Sequence, residues 1–134
     1  MFLADRVSKR LVLFYIPENS GVAVAPGVFH LTRVNNPGAA FGFFRGAGFF
    51  LTFVTAASIA LLSGYLLIKW DRMARRQRWG WMLVIGGAFG NLYDRLFYGH
   101  VIDFLDFRVW PVFNLADSFV CVGVFLVFWS LLKK

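Results

Sequence analysis

The sequence predicts a small all-α membrane protein with several crossings and one modest extramembrane cap. Of the 134 residues, 59% are hydrophobic and 19% aromatic, with a mean hydropathy of +0.65, well above the apolar share of soluble domains. The stretch from Gly46 to Ile68 carries no charge, and about 20 apolar residues suffice to cross the hydrocarbon core of a bilayer. The basic residues behind the net charge of +7 sit at the ends of apolar stretches. They read as topology signals and not as a nucleic-acid stripe.

Each element follows in order. Residues 1 to 16 are the expected site of a first crossing, but Asp5, Arg6, Lys9 and Arg10 interrupt them and leave only Leu11 to Ile16 apolar without a break. At about 1.5 Å per residue that run is too short to span. A truncated first helix is therefore expected, through a late start, a trimmed chain or a reduced relative. The charges do not fit a cleavable signal peptide either. Residues 17 to 45 are rich in Gly and Pro, with β-favouring pieces at Val22 to Val24 and Val28 to Val34. They predict a strand-and-turn cap outside the membrane. Asn36-Pro37-Gly38 suits a tight turn, since Pro sets φ and Gly tolerates positive φ.

Residues 46 to 68 are the second crossing. Residues 69 to 78 hold five basic residues and one acid, a loop that the positive-inside rule puts in the cytoplasm. Residues 79 to 98 form the next crossing, with Trp79 and Trp81 at one interface and Tyr93 and Tyr98 near the other. Residues 99 to 111 are an outer loop, and residues 112 to 132 the last crossing, closed by Lys133 and Lys134 on the cytoplasmic side. Cys121 is the only cysteine, so no intrachain disulfide forms, and it reads as a packing residue.

Four of the seven acids, Asp94, Asp103, Asp106 and Asp117, cluster at the outer ends of the last two crossings. Ionisable groups at membrane depth cost about 2.5 to 3.5 kcal/mol or more and mark function. Asn114 and Asp117 share a helix face by their spacing of three, as do Asn91 and Asp94. A short connection makes the two helices antiparallel neighbours, and Gly86, Gly87 and Gly90 allow close approach, with Gly86-x-x-x-Gly90 as the packing motif. Two carboxylates brought together share a proton, and such a pair can activate water and protonate a leaving amine. Taken singly, each acid also has a structural reading: an N-cap for Asp117, a loop carboxylate for Asp103 and Asp106, a partner of Arg95 for Asp94. A metal site on His100, Asp103 and Asp106 is disfavoured, with one histidine in a loop. A proton pathway predicts acids spread through the membrane depth rather than gathered at one face.

Four ordered segments carry a resemblance. Asn36-Pro37-Gly38-Ala39-Ala40-Phe41, Gly87 through Arg95, Gly99-His100-Val101-Ile102-Asp103-Phe104 and Phe113-Asn114-Leu115-Ala116-Asp117 resemble the motifs of bacterial lipoprotein signal peptidase. Asp5-Arg6-Val7-Ser8-Lys9 is similar to that family's Asp-Gln-x-Thr-Lys motif, with Arg for Gln and Ser for Thr. The resemblance implies a four-helix transmembrane bundle with cytoplasmic termini, a small periplasmic β-cradle, and a multi-pass place in the bacterial inner membrane with the active site at the periplasmic face. It implies aspartyl peptidase activity, with Asp103 and Asp117 as the catalytic pair. It also implies supporting polar positions at Asn36, Asp94, Arg95 and Asn114, and a further polar pair at Asp5 and Lys9. The substrate implied is a diacylglyceryl-modified prolipoprotein, cut before the lipidated cysteine. No cofactor, metal or nucleic-acid partner is implied, and a monomer in contact with membrane lipid is expected. The short N-terminus motivates one rival, a non-catalytic relative that binds prolipoproteins without cutting them.

Overall fold

The structure, a computed structural model, describes residues 1–38 and 48–133. Its order is α1 (Phe2–Tyr15), β1 (Gly21–Ala25), β2 (Phe29–Asn36), α2 (Gly48–Lys69), a 3₁₀ turn (Trp70–Arg72), α3 (Arg75–Tyr98), β3 (Val101–Asp106) and α4 (Leu115–Leu132). The strands form one antiparallel sheet in the order β1-β2-β3.

The helices are apolar outside and polar inside. Phe49 is 88% exposed and Leu67 86%, whereas Asp5, Asp94 and Asn114 are 0% exposed. That inversion suits a lipid solvent, since apolar side chains lose nothing by facing hydrocarbon and buried polar groups must pair with one another. Among the described residues two stretches are long and apolar enough to cross a membrane, Gly48–Arg72 and Leu115–Leu132. α3, with 24 residues, is about 36 Å long but mixes in polar groups. α1 has 14 residues, about 21 Å.

Helix ends follow local chemistry. α3 starts at Arg75 rather than in the Trp79 region, because the Ala74 N–H donates to Gln77 Oε1 (3.2 Å), satisfying one of the free amides of a helix start. The basic loop of the sequence reading is correspondingly shorter. α3 ends at Gly99, whose φ of 74° is the left-handed conformation glycine adopts freely. α4 begins with a reciprocal capping box: Asn114 Oδ1 accepts from the Asp117 N–H (2.9 Å), and Asp117 Oδ2 from the Asn114 N–H (3.2 Å). Asn114 is therefore the N-cap, the role the sequence also allowed for Asp117.

Two corrections concern the outer segment. Residues 99 to 111 are not simply a loop, because Val101–Asp106 is the third strand, pairing Val34 with Asp103 and Asn36 with Val101. Asp103 and Asp106 are thus strand residues. A small core of Val12, Ile16 and Phe104, flanked by Leu31, Leu105 and Leu115, ties the end of α1 to the sheet and to the start of α4. The cap of residues 17 to 45 contains β1 and β2 as expected; residues 39 to 45, with part of the Asn36 to Phe41 motif, lie outside the described residues.

The glycine face extends beyond the expected Gly86-x-x-x-Gly90 motif. A Cβ at Gly86 would meet only the flexible Met1 side chain, at 3.0 Å. The backbone-to-backbone approach of α3 and α4 instead runs through Gly80 against Gly123 and Gly87 against the Ala116 carbonyl. Gly90 faces Asp5, whose Oδ2 lies 2.5 Å from where a Cβ would sit. Bare backbone there makes room for the carboxylate of α1 and for Ala116 of α4, whose Cβ would lie at 3.1 Å, so this face does admit neighbouring helices.

Candidate active site

Asp103 enters from β3 and Asp117 from the first turn of α4, and both are held by amides. Asn36 Nδ2 donates to Asp103 Oδ2 (2.9 Å) and Asn114 Nδ2 to Asp103 Oδ1 (2.8 Å). Asn91 Nδ2 donates to Asp117 Oδ1 (2.7 Å). Asn114 Nδ2 also reaches Asn91 Oδ1 (3.0 Å), so one amide network joins the two carboxylates. Asn36 is placed by the β2–β3 pairing, and its own Oδ1 accepts from the Gly38 N–H (3.0 Å), the local turn expected of Asn-Pro-Gly.

Burial pushes the Asp103 carboxyl up to about 7, with the Asp117 charge adding to the rise, against the lowering effect of the Asn36 and Asn114 amides and of Lys9. A carboxyl so placed exchanges its proton near neutral pH, as a general acid or base requires. Both aspartates line a cavity of about 750 Å³ that also takes in Asn36, Asn91, Arg95, Trp110 and Cys121. Arg95 stands at this cavity, with Nη2 3.5 Å from the Gly38 carbonyl.

Asp94 is not the partner of Arg95 that one structural reading allowed. It sits with Asp5 among two cations of α1: Lys9 Nζ lies 3.0 Å from Asp5 and 2.7 Å from Asp94, and Arg6 Nη2 lies 2.8 Å and 2.6 Å from the same two carboxylates. Lys9 Nζ also donates to Asn91 Oδ1 (3.2 Å). The expected positions Asn36, Asp94, Arg95, Asn114, Asp5 and Lys9 therefore gather around Asp103 and Asp117. Sequence reasoning missed Asn91 and Arg6 as site residues. Asn91 was marked by its spacing from Asp94, the same three as Asn114 and Asp117, and Arg6 by its place in the Asp5 to Lys9 motif, where it stands for Gln.

Asp106 does not face water, as a loop carboxylate was expected to. It is 5% exposed and accepts from the Arg108 N–H (2.8 Å), the Arg108 guanidinium (3.1 Å) and the Thr32 hydroxyl (2.9 Å). Burial alone would raise its pKa. The cover is only its immediate neighbours, however, and the Arg108 and Thr32 donors together hold the carboxyl below its ordinary value. A depressed folded pKa gives stability that is present above the unfolded value of about 3.9 and lost as pH falls through the folded one. Asp106→Asn is expected to cost about 1–2 kcal/mol at pH 7 through these lost charged hydrogen bonds, and little at pH 3. Turnover per folded molecule should stay within about twofold, since no reacting atom is touched. Thermal melts at the two pH values, beside a turnover assay, check both.

Paired carboxylates, Asp103 buried and Asp117 partly so, opening on a cavity among helices whose outer faces are apolar, define a small membrane enzyme. Residues 1–133 match the family described as Signal peptidase (SPase) II. The chain is 44% identical to the lipoprotein signal peptidase of Pelotomaculum thermopropionicum, over 99% of this chain and 87% of that protein. It is 43% identical to that of Moorella thermoacetica, over 96% and 85%. A solved structure described as a bacterial membrane enzyme, determined by the in meso method at 2.3 Å, superposes with a TM-score of 0.89 at 31% identity, covering 98% of this chain and 82% of that one. The chain belongs to the signal peptidase II family, and it is a protease.

Proposed function

We propose that this protease is an aspartyl endopeptidase that removes signal peptides from diacylglyceryl-modified prolipoproteins, cutting just before the lipidated cysteine, with Asp103 and Asp117 as its catalytic pair. The observation that carries the mechanism is the convergence of these two carboxylates on one amide network at the wall of one cavity. With a single proton shared by the pair, the ionised member takes a proton from water, and the hydroxide formed adds to the scissile carbonyl carbon. The protonated member then gives its proton to the leaving nitrogen as the carbon–nitrogen bond breaks, and the pair again holds one proton. Asn36, Asn91 and Asn114 keep the carboxylates aimed. Arg95, at the cavity wall, is suited to hold a substrate carbonyl.

In the same reading α2, α3 and α4 cross the inner membrane, α1, about 21 Å long, covers the outer part of a first crossing, and the C-terminus is cytoplasmic. The sheet lies at the periplasmic face, and a single protomer suffices because one chain supplies both acids. The substrate's signal helix and acyl chains approach through lipid, against the apolar outer faces.

The test is cleavage of a diacylglyceryl-modified precursor followed across pH. Because the pair must retain one proton, turnover is expected to fall as pH rises through about 7, the value at which Asp103 loses its proton. The Asn36 amide favours the ionised form of Asp103, so Asn36→Ala should move that alkaline limb upward. A limb that stays in place in Asn36→Ala, or moves down, would remove Asp103 as the titrating group. A chain that never cuts the lipidated precursor would end the proposal.

A further inference from the structure

Beneath the aspartate pair lies a closed ring of four charges: each cation, Arg6 and Lys9, touches each carboxylate, Asp5 and Asp94, at 2.6 to 3.0 Å. Asp5, Lys9 and Asp94 are essentially sealed from solvent, and Arg6, its side chain 14% exposed, closes the ring from the rim. The formal charges cancel, which lets such a cluster persist in a low-dielectric interior. Among the described residues each carboxylate accepts one backbone N–H, and the two are equivalent. Asp5 Oδ1 accepts the Ala116 N–H (3.0 Å), and Asp94 Oδ2 accepts the Ile102 N–H (3.2 Å). Ala116 immediately precedes Asp117, and Ile102 immediately precedes Asp103. The ring thus grips the backbone one residue before each member of the pair, on β3 and on α4. Lys9 adds a third link, through Asn91 to Asp117.

We propose that Arg6 is a positioning residue for the aspartate pair: by closing this ring and balancing its charge, it fixes the two carboxylates that hold the backbone amides preceding Asp103 and Asp117. Arg6 itself touches neither aspartate. It is pinned by the Tyr93 ring, 4.6 Å below its guanidinium, and by the Gly90 carbonyl at 3.3 Å. Without it, two buried carboxylates would compete for the single Lys9 ammonium. One would rotate away, releasing its amide and the strand or helix turn attached to it. The ring would also be left with an excess negative charge under the pair. The charged groups facing Asp103 are Asp117 on α4, Lys9 on α1 and Arg95 on α3, with neutral amides from Asn36 and Asn114. Added negative charge below them makes the pair hold its proton more tightly.

The inference rests on the aspartyl reading, and substitutions at Arg6 separate geometry from charge. Arg6→Met removes both the donor and the charge, Arg6→Gln removes the charge but keeps a donor, and Arg6→Lys keeps the charge. Turnover of the lipidated precursor is measured against pH for the full chain in detergent or bilayers, with Asp103→Asn alongside. In Arg6→Met, kcat should fall about tenfold or more, with KM changed less than about threefold, and the alkaline limb should move up. Arg6→Gln should share the shifted limb with a smaller loss of kcat, and Arg6→Lys should restore the parent's limb. A parental limb in Arg6→Gln overturns the proposal, as does a limb in Arg6→Lys that matches Arg6→Met. Should Arg6→Met fail to fold, the Gln and Lys variants decide. Parent-like turnover by Asp103→Asn would instead remove the aspartyl reading itself.

Discussion

Asp103→Asn and Asp117→Asn are each expected to lower turnover of a lipidated precursor by about 10²- to 10⁴-fold, the range lost when a positioned proton carrier is removed. Either change removes the shared proton. With Asn at either position, the pair no longer has one ionised and one protonated member. The double variant should match either single one, because members of one catalytic unit fail together. Precursor binding should be little altered, since in the proposed reading the acyl chains and signal helix lie against apolar surfaces that an isosteric change leaves intact. Folding is not the expected point of failure. Burial raises Asp103 above its ordinary value, so its ionised form costs stability as pH rises from the unfolded value through about 7, and Asn at 103 escapes that cost. Turnover and binding for the parent, the two single variants and the double variant make the comparison. Parent-like turnover in either single variant would exclude the mechanism, and additive losses would show that the two acids act independently.

The second large effect is expected at two glycines, with different signatures. At Gly90 even a methyl group meets Asp5 Oδ2 at 2.5 Å and Ala116 Cβ at 3.1 Å. Asp5 cannot yield without releasing Arg6, Lys9 and the Ala116 amide. Gly90→Ala should therefore reduce turnover more than it reduces stability, and Gly90→Leu should abolish turnover. Gly123 lies outside the motifs, and sequence alone makes its substitution the milder one. The structure reverses that expectation for stability, because a Cβ there would sit 2.5 Å from the Gly80 carbonyl oxygen and 2.9 Å from the Val84 nitrogen. Backbone atoms in a helix seam cannot swing aside, so Gly123→Ala is expected to cost about 1–3 kcal/mol while the folded fraction keeps its turnover. Melting temperature and turnover per folded molecule separate the two. A Gly90→Ala enzyme as active as the parent would show that Asp5 has freedom this packing denies it.

Much of the architecture was legible residue by residue. The charge-free run before Lys69, the basic cluster after it and the closing lysines mark helices and their polarity, because hydropathy and charge are read locally and a bilayer imposes one length scale. The polar spacings Asn91 to Asp94 and Asn114 to Asp117 were equally visible, since helical periodicity puts such pairs on one face. The outer segment was not. Val101–Asp106 is a strand only because β2, far earlier in the chain, offers it a partner, and an isolated six-residue run carries no sign of that pairing.

What sequence by itself determined is an apolar, multi-helix chain with acids gathered at one end of its last two helices, all properties of single segments. Tertiary structure alone decided which groups meet. Asp94 turns from its neighbour Arg95 to Arg6 and Lys9 of α1, Asp106 ties β3 to β2 through Thr32, and the α3–α4 seam extends to Gly80 and Gly123. The reason is physical: a buried charge or a bare stretch of backbone is stable only against a particular partner, and partners more than eighty positions apart, as Lys9 and Asn91 are at 82, are chosen by how the helices and sheet close around them.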